Sequence, residues 1–279
     1  MKKILSIITI CVVVTYTTFS QTKTNNKMNT IVLVHGAWLD ASSWDKVAPL
    51  LKASGHEVII VTLPGHGKDN TPYDKIQLQS YVDVVKKAIG SRTNVTLVGH
   101  SMGGIVISET AEQIPAQIKN LVYVAGFLPR NGETLLTLAN QPENKESLLG
   151  QYIRPDEKTG SAGIAKEGIV PSFVADGSQA DKDKVLAGYK PDPLIPFATP
   201  VKLTDANFGK VNKCYIYTEN DKAVSYPLQQ AMVKNSNVMR TYTLPSSHTV
   251  FLHLPGVLAA AILREAESAD TSTASAQSR

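Results

Sequence analysis

The pentapeptide Gly99-His100-Ser101-Met102-Gly103 sets a serine between two glycines, directly after the apolar run Val95-Thr96-Leu97-Val98. The run reads as a buried strand, and Ile105 to Ala111 reads as the helix that follows the turn. A serine on so sharp a strand-to-helix turn stands clear of the backbone, and the glycines remove the side chains that would clash there. The chemistry available to it is acyl transfer. That requires a base to take the hydroxyl proton, a third group to orient the base, and N–H donors for the oxyanion.

Six histidines compete for the base: His35, His56, His66, His100, His248 and His253. His56 precedes a strand, and His100 lies inside the turn with its ring expected to point away from Ser101. His248 stands in the loop between the last strand and the final helix, after nucleophile and acid in chain order. It is favoured over His253, which sits nearer the helix start at Pro255. For the acid, Glu219 and Asp221 both follow the penultimate strand. Asp205 precedes that strand and is the outsider. Asp221 is favoured as the carboxylate farthest into the loop. One oxyanion donor is expected from Met102, the residue after the nucleophile. The other is expected from the loop His35-Gly36-Ala37-Trp38, with the Ala37 N–H as candidate. Trp38, Tyr123, Phe127 and Leu128 are the expected pocket-lining residues.

The elements that must hold these groups alternate strand and helix. Strands are expected at 30–34, 57–63, 118–124, 213–218 and 238–244, besides the run before Ser101. Helices are expected at 44–53, 76–89, 226–233 and from Pro255 onward. Apolar strands without hairpin signals imply an α/β domain with a mostly parallel sheet, whose ligands bind at the strands' carboxyl ends. His35-Gly36-Ala37, Pro64-Gly65-His66, Ser101 and Phe127 all fall at such ends. Residues 130–200 break the rhythm and are too long for a structureless loop, so a lid of short helices and turns over the crevice is expected.

Residues 1–20 carry Lys2-Lys3, an apolar stretch from Ile4 to Val14, and small residues to Ser20. This is the pattern of a secretory signal cleaved near Ser20, with a secreted or periplasmic product and no stable membrane association after cleavage. A flexible lead-in at 21–29, the catalytic domain at 30–267 and a disordered Ser/Thr/Ala-rich tail at 268–279 complete the expected organisation. The formal charge of +4 falls to +2 once Lys2 and Lys3 leave. Basic residues cluster no further than pairs, which gives no basis for nucleic-acid binding. Cys214 would be the lone cysteine after cleavage and reads as a core residue. His, Asp and Cys show no ligand spacing, so no metal or cofactor is expected.

With Ser101, Asp221 and His248 in that order, the chain resembles the α/β-hydrolase superfamily. More narrowly, it is similar to the branch of plant methyl esterases and α-hydroxynitrile lyases. The similarity rests on Val32-Leu33-Val34-His35-Gly36-Ala37, Ser43-Trp44, Gly55-His56-Glu57-Val58, Val98 to Gly104, Val122 to Pro129, and the Glu219 to Lys222 loop. The resemblance implies an α/β-hydrolase fold with a helical lid, a Ser101–Asp221–His248 triad, Ala37 and Met102 as oxyanion donors, and a small-molecule ester as substrate. The lyases carry threonine where this chain has Gly36, and lysine where it has Thr249. Both departures favour ester hydrolysis over cyanohydrin cleavage.

Overall fold

The computed structural model describes residues 28–236 and 238–268. The expected signal segment and nearly all of the expected tail lie outside them. Among the described residues, no helix is long and apolar enough to cross a membrane.

Six strands form one parallel sheet: β1 (Thr30–Val34), β2 (Glu57–Val61), β3 (Val95–His100), β4 (Ile118–Val124), β8 (Asn212–Thr218) and β9 (Arg240–Leu244). Their spatial order is β2-β1-β3-β4-β8-β9. β1, β3 and most of β4 are buried, which explains their unbroken apolar character. The helices following the sheet strands are α1 (Ala48–Ala53), α2 (Leu78–Ile89), α3 (Gly103–Gln113), α9 (Tyr226–Asn235), α10 (Val250–His253) and α11 (Pro255–Glu267). Side chains along β4 alternate between the helices on the two sides of the sheet. Asn120 donates its amide to Glu265 O of α11 at 2.7 Å, while the Tyr123 hydroxyl meets Ser108 Oγ of α3 at 2.7 Å.

The segment between β4 and β8 holds α4 (Leu135–Ala139), α5 (Leu149–Tyr152), α6 (Lys166–Phe173), α7 (Gln179–Gly188) and α8 (Leu194–Ala198). It also holds a second sheet absent from the sequence expectation. β5 (Ile153–Asp156), β6 (Ser161–Ile164) and β7 (Asp192–Pro193) pair antiparallel in that order. The strands are short, Pro155 interrupts one, and β7 arrives from 28 residues beyond β6, so no local pattern announces them.

Candidate active site

Ser101 occupies the turn between β3 and α3 with φ +53°. That is left-handed backbone, strained for a residue with a side chain. The turn persists because neighbours grip it. Ser101 N donates to Val124 O at 3.2 Å, and Ser101 O accepts from Phe127 N at 3.0 Å and Gly104 N at 2.9 Å. Trp38 (φ +59°) and Ala125 (φ +44°) are two more non-glycine residues in this region. They follow β1 and β4, so three strained positions sit at carboxyl ends of neighbouring strands around one crevice.

The loop after β9 carries His248, which is buried. Its Nδ1–H donates to Asp221 Oδ2 at 2.7 Å, an assignment made from the network, and Nε2 is left as the acceptor. Asp221, also buried, accepts at Oδ2 from Thr218 Oγ1 (2.9 Å), and at Oδ1 from the N–H groups of Ala223 (2.8 Å) and Val224 (2.9 Å). The carboxylate is therefore fixed before it orients the imidazole. Glu219 and Asp205 are exposed, and His253 lies exposed at the end of α10. Among the described residues, no hydrogen bond links Ser101 Oγ to His248 Nε2. Such bonds commonly tighten only when substrate is bound.

His100 runs beside this pair. Its Nε2–H donates to His248 O at 3.0 Å, and the two rings lie 4.4 Å apart. Burial, then the nearby His248, pushes the His100 pKa well below the ordinary histidine value. His35 is likewise held down to about 3, by burial first and by His66 second. Neutral His35 has a defined tautomer: Nε2 accepts from Leu63 N at 3.1 Å and Nδ1–H donates to Gly36 O at 2.8 Å. Gly36 O belongs to the same peptide as the Ala37 N–H, so His35 fixes that amide's plane. Neither the Ala37 nor the Met102 N–H has a backbone acceptor among the described residues.

These two imidazoles have a consequence for stability. Below pH 6.5 the unfolded chain protonates both histidines, whereas the folded-state pKa is about 3 for His35 and is lowered for His100, so both contribute a loss of stability as pH falls. His66, whose folded pKa lies above its ordinary value, works the other way: its contribution grows as pH falls through that pKa and past 6.5, and offsets part of the loss. Chemical denaturation at pH 5 is expected to give a free energy of unfolding lower than at pH 7, with His35 alone contributing about 2 kcal/mol of the loss and His100 acting in the same direction. Equal stability at the two pH values would contradict their burial as neutral groups.

A cavity of about 450 Å³ opens onto Ser101. Its walls are largely apolar: Trp38 and Phe127 from the sheet ends, and Leu135, Leu136, Leu149, Ile153 and Phe197 from the inserted segment. Asn140, Gln141 and Lys145 add polar groups. A larger and more polar cleft, about 560 Å³, is lined by Arg130, Asp205, Lys210 and Lys213 near the start of β8. None of the expected catalytic groups reaches it. Of the four expected pocket residues, Trp38 and Phe127 line the Ser101 cavity. Tyr123 and Leu128 do not. Tyr123 is fully buried, bonded to Ser108 and stacked on Tyr215, whereas Leu128 packs in the core with its N–H on Met232 Sδ at 3.4 Å.

Residues that sequence reasoning missed come from the inserted segment. Asp176 accepts from Ser247 N at 2.5 Å and from Ser247 Oγ, and Phe173 O accepts from both Thr249 N and Thr249 Oγ1 at 2.9 Å. These bonds bracket His248 on both sides. Asp192 holds Trp38 N at 2.5 Å. Asp176 lies in a turn and Asp192 in a two-residue strand, and neither has a spacing to other groups that would single it out.

Residues 31–261 match the family described as the alpha/beta hydrolase family. Methylesterase 9 of Arabidopsis thaliana is 28% identical over 223 residues, covering 76% of this chain and 87% of the relative. A carbendazim hydrolyzing esterase of a Nocardioides species is 27% identical, covering 83% of this chain and 97% of the relative. The alignments to two longer chloroplastic relatives from Arabidopsis thaliana span 62% and 53% of those proteins' lengths. Among solved structures, a pyrethroid hydrolase from Sphingobium faniae superposes with a TM-score of 0.75 at 25% identity, covering 87% of this chain and 98% of that one.

Proposed function

Because the chain belongs to the alpha/beta hydrolase family, we propose that it hydrolyses small carboxylic esters through an acyl-enzyme on Ser101. The observation that carries this reading is the strained Ser101 turn at the apolar cavity, with the ring of His100, the residue before Ser101, 4.4 Å from that of His248 in the buried His248–Asp221 pair. His248 Nε2 takes the Ser101 proton as Oγ attacks the ester carbonyl. Asp221 keeps the imidazole in the required tautomer and stabilises the imidazolium. The N–H groups of Ala37 and Met102 receive the oxyanion. Collapse expels the alcohol, protonated by His248, and a water activated by the same ring releases the acid.

Two further features favour hydrolysis over cyanohydrin cleavage. A side chain at Gly36 would bring its Cβ to 2.7 Å from Ser101 Cβ, so no hydroxyl-bearing residue fits there without displacement. Thr249 offers no cation, and its hydroxyl is turned away onto Phe173 O. The apolar walls suit a small aryl or alkyl ester, in keeping with relatives named for methyl esters, carbendazim and a pyrethroid. Within this reading, 30–267 form the catalytic unit, 130–200 its lid, and 1–20 direct export with cleavage near Ser20.

Turnover of a nitrophenyl ester series tests the proposal. Short-chain esters are expected at ordinary enzyme rates, on the order of 1–1000 per second, with long acyl chains poorer. Cleavage of mandelonitrile faster than any ester would replace this reading with a lyase.

A further inference from the structure

Trp38 adopts φ +59°, a conformation that costs a bulky residue about 1–3 kcal/mol and persists only when its surroundings impose it. Three contacts impose it, all from the segment between β4 and β8. Asp192 Oδ2 accepts from Trp38 N at 2.5 Å, Ala162 O accepts from the indole Nε1–H at 2.8 Å, and Trp38 O accepts from Lys190 N at 3.4 Å. Ala162 and Asp192 are register partners in the β6–β7 pair. The small sheet therefore grips one residue of the loop after β1.

Asp192 is fully buried, and its Oδ1 has no hydrogen-bond partner. Oδ2 carries both Trp38 N–H and His66 Nε2–H, the latter at 2.8 Å. His66 donates its other proton, on Nδ1, to Pro64 O at 2.9 Å. Burial alone would lower the His66 pKa, but the Asp192 carboxylate overrides it and raises it. A buried carboxylate with an unpaired oxygen is costly, and packing alone would be better served by an apolar side chain. Its position accounts for its presence. Trp38 directly follows Ala37. His35 fixes the carbonyl of the Gly36–Ala37 peptide, and Asp192 fixes the next N–H along the chain. The Ala37 N–H is thus held from both sides.

We propose that Asp192 is a positioning residue for the reaction, locking the left-handed Trp38 turn so that the Ala37 N–H faces the developing oxyanion. This rests on the serine ester-hydrolase reading. An oxyanion site so built is complete only while the β5–β6–β7 sheet is docked on the loop after β1.

The test compares wild type with Asp192→Leu, which keeps the branched shape but has no acceptor, with Asp192→Ala, and with Asp192→Asn, which keeps an acceptor oxygen for Trp38 N–H. Nitrophenyl butyrate is the substrate. Phenylboronic acid is the probe of oxyanion geometry, since boron accepts the Ser101 Oγ electron pair and becomes tetrahedral and anionic. Removing an oxyanion donor outright costs roughly 100- to 1000-fold, so misaiming one is expected to cost about 10- to 100-fold in kcat. KM should stay within about three-fold of wild type, boronate affinity should fall in parallel with kcat, and Asp192→Asn should recover most of the loss. Unchanged kcat in the Leu and Ala variants, a loss confined to KM, or loss of folding in all three variants would overturn the proposal. A wild type without ester turnover, or Ser101→Ala with full turnover, would instead overturn the reading beneath it.

Discussion

His248→Ala is expected to lower kcat for ester hydrolysis by on the order of 10⁴- to 10⁶-fold, with KM little changed. A serine hydroxyl without a base is a poor nucleophile, and loss of one member of such a unit removes most of what the unit does together. The fold should survive the change. Asp221 keeps its bonds from Thr218, Ala223 and Val224, so no bare carboxylate is left behind. His253→Ala should stay within about two-fold of wild type, because that ring is exposed at the end of α10. Steady-state kinetics on both variants, with near-ultraviolet circular dichroism as the check on folding, decides between them. The reverse pattern would move the base to His253.

Gly104→Ala is expected to be the most damaging single-methyl change in the chain. Its Cβ would lie 2.2 Å from Phe127 O and 2.9 Å from Phe127 N, both backbone atoms that cannot rotate aside. The loop after β4 is also tied to the Ser101 turn by the Phe127 N–Ser101 O bond, so relief would have to break the site. We expect a loss of about 4 kcal/mol or more, or failure to fold, which places it among the exceptional substitutions. Gly256→Ala is the control. Nothing lies within 4 Å of the Cβ position in the first turn of α11, so the change should be neutral or stabilise by at most about 1 kcal/mol. Urea denaturation of the two variants makes the comparison; equal stability would contradict the close packing at Gly104.

The contrast between these glycines shows which features the sequence displays. A central parallel strand is buried on both faces, so β1, β3 and β4 appear as continuous apolar runs, and the groups at their carboxyl ends can be listed from sequence order alone. Ser101 and its spacing to Gly99 and Gly103 are equally local. Tyr123, an expected pocket residue, is the counter-example. The alternation of a strand instead turns it onto Ser108 and Tyr215, and the cavity wall comes from Phe127, beyond the strand. The inserted segment was the least legible. Its second sheet pairs strands of two to four residues across a long separation. The roles of Asp176 and Asp192 exist only once that sheet and α6 have docked on the loops after β9 and β1. No periodicity encodes a contact of that kind.

The central claim is that Ser101 is an activated nucleophile. Labelling the folded protein with a fluorophosphonate, followed by peptide mapping, tests it directly. The account predicts one adduct, on Ser101, formed rapidly in wild type and lost in His248→Ala. An adduct on any other residue, or no adduct on folded wild type, would contradict it.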